Sequence, residues 1–301
     1  MKKVRKTPIN QQPKVGILLA TSNPNSFVYE QIESIRNQQG VQTIIYWGDY
    51  NSSPATKNQV RSALNKLDFH EIQISAPGVA YNFFELLRHS TEDFVAFSDQ
   101  DDVWLPGKLI SQVNLMSASS NIPALVHSNS MLLKDGELKE KNRQCGSHTS
   151  LSLFFKNCCQ GCTMTINSSA RSLILSTLPP NILWHDWWIA LVISVKGKIL
   201  FNNEIDTLYR LHDNNTIGLP KFRNKVVRFA RRPGGLLSYQ IERILNTFPH
   251  DFEFDSNELK KIKLIMSKKR FSRTLGVLRS NRGLLRELSF FRRLILIVKQ
   301  P

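Results

Sequence analysis

Residues 82–104 read NFFELLRHSTEDFVAFSDQDDVW, and the order of residue types in this stretch decides the fold class. NFFELLRHS (82–90) carries its apolar residues on one helical face, the spacing of an amphipathic helix. DFVAFSD (93–99) is an apolar run closed by acids, as expected of a strand buried on both faces. Upstream the same alternation repeats. KVGILLATSN (14–23) is an apolar strand ending in turn residues, and NPNSFVYEQIESIRNQ places Phe27, Val28, Ile32 and Ile35 at helical spacing. QTIIYWGD (42–49) is a second strand, Val60–Leu67 the centre of a second helix, and HEIQIS (70–75) a third strand by its alternation. The first hundred residues therefore run βαβαβαβ. That order predicts an α/β protein, a doubly wound and mostly parallel sheet with helices on both faces. Ligands in such sheets bind beyond the carboxyl ends of strands. Chemistry is expected in the loops after Ala20, Trp47 and Phe97.

Further along, the pattern predicts a strand at Pro123–His127 and a helix over Ser168–Ser176. A stronger helix opens at His185–Asp186, carries WWIALVISV and stops at Lys196–Gly197, where glycine suits a C-terminal cap. GKILFNN (197–203) reads as a strand, and beyond Gly218 the sequence is helical and basic. The organisation is thus a basic lead-in (1–13), a catalytic body (14–218) and a basic helical C-terminal region (219–301).

Of 301 residues, 41% are hydrophobic and 21% charged, which excludes a wholly disordered, collagen-like or disulfide-dense chain. The longest apolar runs, VGILLA (15–20) and LILIV (294–298), fall far short of the roughly 20 residues that span a bilayer. The opening MKKVRKTPINQQPK lacks the apolar stretch of a secretory signal, so a cytoplasmic protein is expected. The net charge of +16 is unevenly placed. Residues 1–220 hold 20 Lys and Arg against 18 Asp and Glu, whereas residues 221–301 hold 20 against 6. A basic appendage on a neutral body points to an anionic partner. Cys159 and Cys162 have the spacing of half a zinc site, but Cys145 and Cys158 do not supply a second such pair. The four are read as buried thiols.

The sharpest chemical feature is Ser98-Asp99-Gln100-Asp101-Asp102-Val103-Trp104, with three carboxylates in four residues after a buried strand. In extended chain Asp99 and Asp101 point to one side. At about 5 Å and an effective dielectric of about 20 they repel by roughly 3 kcal/mol. Such a cluster calls for a cation, and oxygen ligands select Mg²⁺ or Mn²⁺, which keep positions open for substrate phosphates. The competing reading is an acidic turn with Asp102 capping the next helix.

Residues 15–218 resemble the family 2 glycosyltransferases of bacterial surface-polysaccharide synthesis, in particular the rhamnosyltransferase-like branch. FSDQDDVWLPGKL (97–109) is similar to that branch's acidic metal motif, and GCTMTIN (161–167) to its Gly-Cys-Thr segment. HDWWIALVISVKGKILF (185–201) resembles the helix bearing its base, and YRLHDNNTIG (209–218) its closing segment. The resemblance implies a GT-A type fold and an inverting, metal-dependent transfer of a sugar from a nucleoside-diphosphate donor, of dTDP-rhamnose or UDP-hexose type. The acceptor implied is a lipid-linked sugar or saccharide in O-antigen, capsule or exopolysaccharide synthesis.

It implies roles as well. Asp101 and Asp99 would hold the metal, with His212 completing its shell, and Asp186 would be the general base. Thr21, Asn23, Asp49, Asp99, Gln100 and Arg210 would line the donor site. Asp102, Trp104, Trp187 and Trp188 are candidates for contact with acceptor or sugar. Two segments depart from the family pattern. Trp47-Gly48-Asp49-Tyr50-Asn51-Ser52 stands where Asp-Asp-Gly-Ser is usual, and Ser128-Asn129 lacks the acid that often follows the serine.

The tail contains RFARRPGG, KKIKLIMSKKRFSR and FFRRLILIVK. Helices that interleave apolar residues with cations lie on anionic membrane surfaces. Residues 221–301 are therefore expected to hold the protein on the inner face of the cytoplasmic membrane. Otherwise they form a solvated extension packed on the catalytic domain, or a homodimer contact. No nucleic-acid module is present, so no nucleic-acid partner is expected. Two other functions fit parts of the sequence. A sugar-nucleotide nucleotidyltransferase would want a glycine-rich, basic loop after the first strand, which ATSNPNSF lacks. A catalytically degenerate basic adaptor would account for the altered 47–52 loop.

Overall fold

A computed structural model describes residues 12–75, 78–119, 121–142, 152–153, 157–178, 184–212, 242–249 and 251. The chain divides into two compact units, residues 1–148 with 157–218 and residues 149–156 with 219–301. In the second unit residues 242–247 are helical. The rest of the basic lead-in and of the 221–301 region expected to bind a membrane lies outside the described residues. No helix among the described residues is long and apolar enough to cross a membrane.

The first unit is built on one nine-stranded sheet. Its first half is parallel and follows the predicted alternation: β1 (Lys14–Thr21), α1 (Phe27–Arg36), β2 (Gln42–Asp49), α2 (Pro54–Leu64), β3 (Phe69–Gln73), α3 (Val79–His89) and β4 (Phe94–Ser98). The second helix, Pro54–Leu64, lies further toward the N-terminus than the predicted centre at Val60–Leu67. Pro54 opens it, and the Ser53 hydroxyl accepts the Thr56 N–H, a cap that holds polar turns in helix. Next come β5 (Val103–Trp104), α4 (Lys108–Met116), β6 (Ala124–Lys134), β7 (Glu137–Asn142), β8 (Met164–Asn167), α5 (Ser168–Ser176), α6 (His185–Lys196) and β9 (Lys198–Arg210).

The strand order is β3-β2-β1-β4-β8-β6-β9-β5, with β7 paired to β6. Strands β5, β7 and β8 run antiparallel to their neighbours, so the sheet is mixed beyond β4. Along β1, Val15, Ile17 and Leu19 face a core with Ile32 and Ile35 of α1, Val60 and Leu64 of α2, and Trp47. The opposite face carries α3. Gly48 of β2 has no room for a side chain there, because a β-carbon would lie 2.5 Å from Asn82 Oδ1. Helix α6 is buried from Trp187 to Ile193, in accord with a helix apolar all round.

A polar network joins α4 to the second half of the sheet. Lys108 is fully buried. Its ammonium donates to the Cys162 carbonyl (3.0 Å), to Thr207 Oγ1 (2.9 Å) and to Asp206 (3.4 Å). Asp206 also accepts from Gln112 Nε2 at 2.7 Å and from the Ser128 hydroxyl. Removing one partner of a buried ion pair strands the other in low dielectric. Lys108→Met should cost about 3–5 kcal/mol in chemical denaturation, and adding Asp206→Asn should recover part of that loss.

Candidate active site

The acidic loop leaves β4 at Ser98 and rejoins the sheet at β5. Two buried residues of α1 hold its ends. Gln31 Nε2 donates to Ser98 Oγ at 2.7 Å, and the Trp104 N–H donates to Ser34 Oγ at 3.1 Å. Ser34 in turn donates to Gln31 Oε1. Gln100 ties the loop to the end of β1, since its amide accepts the Ser22 N–H at 2.8 Å and donates to the Ser22 carbonyl at 3.3 Å.

Within the loop the carboxylates separate into two groups. Asp101 meets His212, with Oδ2 and Nε2 2.6 Å apart. Asp99 and Asp102 lie with Cys162, their ligand atoms within 4.8 Å of one another. Asp102 is buried. Its Oδ1 accepts the Arg210 N–H at 3.0 Å, whereas its Oδ2 has no hydrogen-bond partner. Burial, then the charges of Asp102, Asp101 and Asp186, pushes the Asp99 carboxyl well above the usual range. Burial and Asp101 push Asp102 up to about 7, against the opposing pull of the Arg210 N–H. Two neighbouring acids, both raised by burial and by the carboxylate charges beside them, mark a cluster short of positive charge. Its donors are mostly hard oxygens and fit a divalent cation such as Mg²⁺ or Mn²⁺. Among the described residues, Asp99 clusters with Asp102 and Cys162 and Asp101 pairs with His212, rather than Asp99, Asp101 and His212 forming the single expected set.

Arg210 ends β9 and closes the loop from outside. Its Nε donates to the Asp101 carbonyl at 2.8 Å, its terminal nitrogen pairs with Glu30 at 2.6 Å, and it lies 4.2 Å over the Phe27 ring. The expectation placed Arg210 on donor phosphate. Here it braces α1 against the acidic loop.

Asp186 enters from α6. Burial outweighs the helix terminus and raises the carboxyl to about 6. Hydrogen bonds from the Trp187 and Gly161 N–H groups and from Asn157 act in the opposite sense, favouring the ionised form. Asp186 is close enough to Asp99 for its charge to raise that acid as well. The neighbouring His185 is buried, with its ring centroid 4.1 Å from that of Phe83 and 5.6 Å from that of Phe97. Burial lowers its pKa to about 3, which keeps it neutral.

On the other flank, Asp49 is occupied within its own loop. It accepts from Thr21 Oγ1 (2.7 Å), from Ser52 Oγ (2.6 Å) and from the N–H groups of Asn51 and Ser52. Trp47 Nε1 donates to the same Thr21 hydroxyl at 2.9 Å, and Ser52 Oγ accepts the Asn23 N–H at 2.8 Å. Asn23 itself adopts positive φ, 43°. Thr21 and Asp49 therefore shape the loop in which Asn23 stands.

The expected sugar contacts at Trp104, Trp187 and Trp188 are overturned by burial. Their exposures are 2%, 4% and 0%, so no ring presents a face to a ligand. Asp102, at 1%, moves from that group to the acidic cluster. Cys159 and Cys162 are free, buried thiols as read, but Cys158 is disulfide-bonded. Sequence reasoning missed Gln31, Ser34, Lys108, Gly161 and His185. Lys108 and Gly161 lay inside quoted motifs, and their isolated polar or glycine character among apolar neighbours was the available signal.

Comparisons with known proteins agree with this architecture. The family model described as Glycosyl transferase family 2 matches residues 17–171. A relative from Shigella flexneri, the dTDP-rhamnosyl transferase RfbG, is 26% identical over 273 residues, covering 81% of this chain and 88% of that protein. Among solved structures, S. aureus TarS 1–349 in complex with UDP-GlcNAc superposes with a TM-score of 0.57 at 13% identity, covering 90% of this chain and 92% of that one. The mannosyltransferase PcManGT from Pyrobaculum calidifontis, in complex with GDP-Man and Mn²⁺, gives 0.58 at 13% identity, covering 95% and 81%. These neighbours give the chain the GT-A fold.

The acidic cluster has a stability signature. The folded pKa of Asp102, about 7, lies above its ordinary 3.8, so the folded state binds the extra proton. Its contribution is complete below about pH 4 and is lost as pH rises to about 7. In chelator, wild-type thermal stability should fall over that window more steeply than that of Asp102→Asn, whose amide oxygen still accepts the Arg210 N–H. Mn²⁺ should raise the melting temperature more at pH 8 than at pH 5. Equal slopes for the two proteins in chelator would refute the assignment.

Proposed function

The chain belongs to glycosyl transferase family 2, and on that premise we propose that it is an inverting, cation-dependent transferase acting on a nucleoside-diphosphate sugar. Its relation to a dTDP-rhamnosyl transferase favours dTDP-rhamnose over a UDP-hexose as donor. The acceptor is a lipid-linked sugar or saccharide of O-antigen, capsule or exopolysaccharide synthesis. The observation that carries this reading is the cluster of Asp99, Asp102 and Cys162 beyond the end of β4, with ligand atoms within 4.8 Å of one another.

In this mechanism the Asp101 and Asp99 carboxylates would hold the cation, with His212 at Asp101, and the ion when bound would supply charge to stabilise the departing nucleoside diphosphate. Gln100 fixes the acidic loop to Ser22, and the loop of Asn23 and Asp49 receives the nucleoside. Asp186 accepts the proton of the acceptor hydroxyl as that oxygen attacks the anomeric carbon. A carboxylate near pH 6 is a stronger base than an ordinary aspartate and is still ionised at neutral pH. The surplus of cations in 221–301 supports cytoplasmic placement against an anionic membrane surface, where a lipid-linked acceptor lies.

Transfer from dTDP-rhamnose, UDP-hexoses and GDP-mannose to a lipid-linked acceptor, with Mn²⁺, Mg²⁺ or chelator, tests the reading. Asp101→Asn and Asp186→Asn should each lower kcat by about 10²–10⁴-fold, and Asp186→Asn should leave donor binding intact. For the wild type, kcat should rise with pH through about 6 as Asp186 ionises. Full activity of Asp101→Asn in chelator would end the cation-dependent reading. Stabilisation by UDP but not dTDP in a thermal-shift assay would reverse the order of donors.

A further inference from the structure

The 3₁₀ turn Gly161–Thr163 runs immediately before β8, and its first residue has no space for a side chain. A β-carbon on Gly161 would lie 2.7 Å from His185 Nε2, 3.3 Å from His185 Cε1 and 3.6 Å from the Asp186 β-carbon. The backbone of Gly161 is not in the left-handed region, so alanine meets no conformational barrier here. What excludes it is the imidazole. The ring packs against both Phe83 of α3 and Phe97 of β4, whose own rings meet at 5.7 Å, so shifting it disturbs a three-ring aromatic cluster. Its Nε2 is buried and has no hydrogen-bond partner, so the ring occupies this place for its shape, without a hydrogen bond at that atom to hold it.

The consequence reaches the site from two sides. Phe97 precedes Ser98 and Asp99, so the His185 ring rests against the strand that delivers the acidic loop. On its other side His185 is joined directly to Asp186. The Gly161 N–H favours the ionised Asp186 carboxylate, while the bare α-carbon of Gly161 admits His185. We propose that Gly161 and His185 are positioning residues that together set where the Asp186 carboxylate stands relative to the acidic loop. The claim rests on Asp186 being the base.

The experiment is a double-mutant cycle read in kcat and in donor KM, with melting temperature as the control. Gly161→Ala drives the ring and Asp186 off their places. A misplacement of about 1 Å costs on the order of 10²-fold in rate, so kcat should fall by about that factor while donor KM and Mn²⁺ dependence hold. His185→Asn keeps the inner half of the imidazole outline but lacks Nε2 and Cε1, the atoms a new β-carbon would strike. Gly161→Ala combined with His185→Asn should therefore regain the kcat of His185→Asn alone. If Gly161→Ala melts below the assay temperature, the double variant should regain stability as well as rate. A Gly161→Ala enzyme within twofold of wild type overturns the proposal. So does a double variant no better than Gly161→Ala. Asp186→Asn separates the two claims: if it stays active the base assignment fails, and if it is inactive while Gly161→Ala is fully active only the positioning claim fails.

Discussion

Like-charged carboxylates crowded together, Asp102 buried and the others half-buried, are the constraint around which this fold is arranged. Asp99, Asp101, Asp102 and Asp186 come from a loop and a helix that are 84 residues apart at their nearest. In water such charges would repel weakly, but burial raises both the repulsion and the cost of ionisation. The protein holds the group in place with neutral donors and distant cations. Arg210 gives the cluster its backbone N–H and turns its guanidinium outward to Glu30. Lys108 approaches from beneath, with its charge engaged by Asp206 and the Cys162 carbonyl. Neither cation forms an ion pair with Asp99 or Asp102, and that leaves a deficit of positive charge which a divalent ion fits.

The same arrangement explains where rigidity is concentrated. Helix α1 contributes Gln31 and Ser34 to the two ends of the acidic loop, and Phe27 and Glu30 to Arg210 at the end of β9. Four side chains along one helix thus brace the loop on one side. The Gln100 amide fastens its middle to Ser22. A loop bearing like charges would otherwise relieve its repulsion by opening, and hydrogen bonds from a packed helix make that opening costly.

The parallel half of the sheet was legible because its strands are buried on both faces and its helices are amphipathic. Both produce apolar periods that survive in a single sequence. The acidic cluster was legible because three acids directly after a buried strand repel one another and call for a cation. Strands β5 and β8 were not. Val103–Trp104 and Met164–Asn167 are too short to show a period, and they are strands only because β9, β4 and β6 supply partners. Trp187 and Trp188 misled for a related reason. Adjacent positions on a helix face different directions, which favours one exposed ring, but α6 is covered on all sides and buries both. The pKa of Asp186 turned on depth, which position in the helix does not encode.

The altered 47–52 loop reads differently once its contacts are known. Loss of one acid and a tyrosine in place of glycine fitted a catalytically degenerate adaptor. Yet Asp49 receives four hydrogen bonds from Thr21, Asn51 and Ser52. Ser52 passes that order to Asn23, and Trp47 fixes the Thr21 hydroxyl from below. Lys57 Nζ also stands 3.6 Å from Asp49 Oδ1, so the single acid already has a cation beside it; a second carboxylate would add repulsion. The single acid is thus consistent with an ordered loop. Its oxygens hold the Asn51 and Ser52 N–H groups, so what Asp49 contributes directly is the shape of this loop.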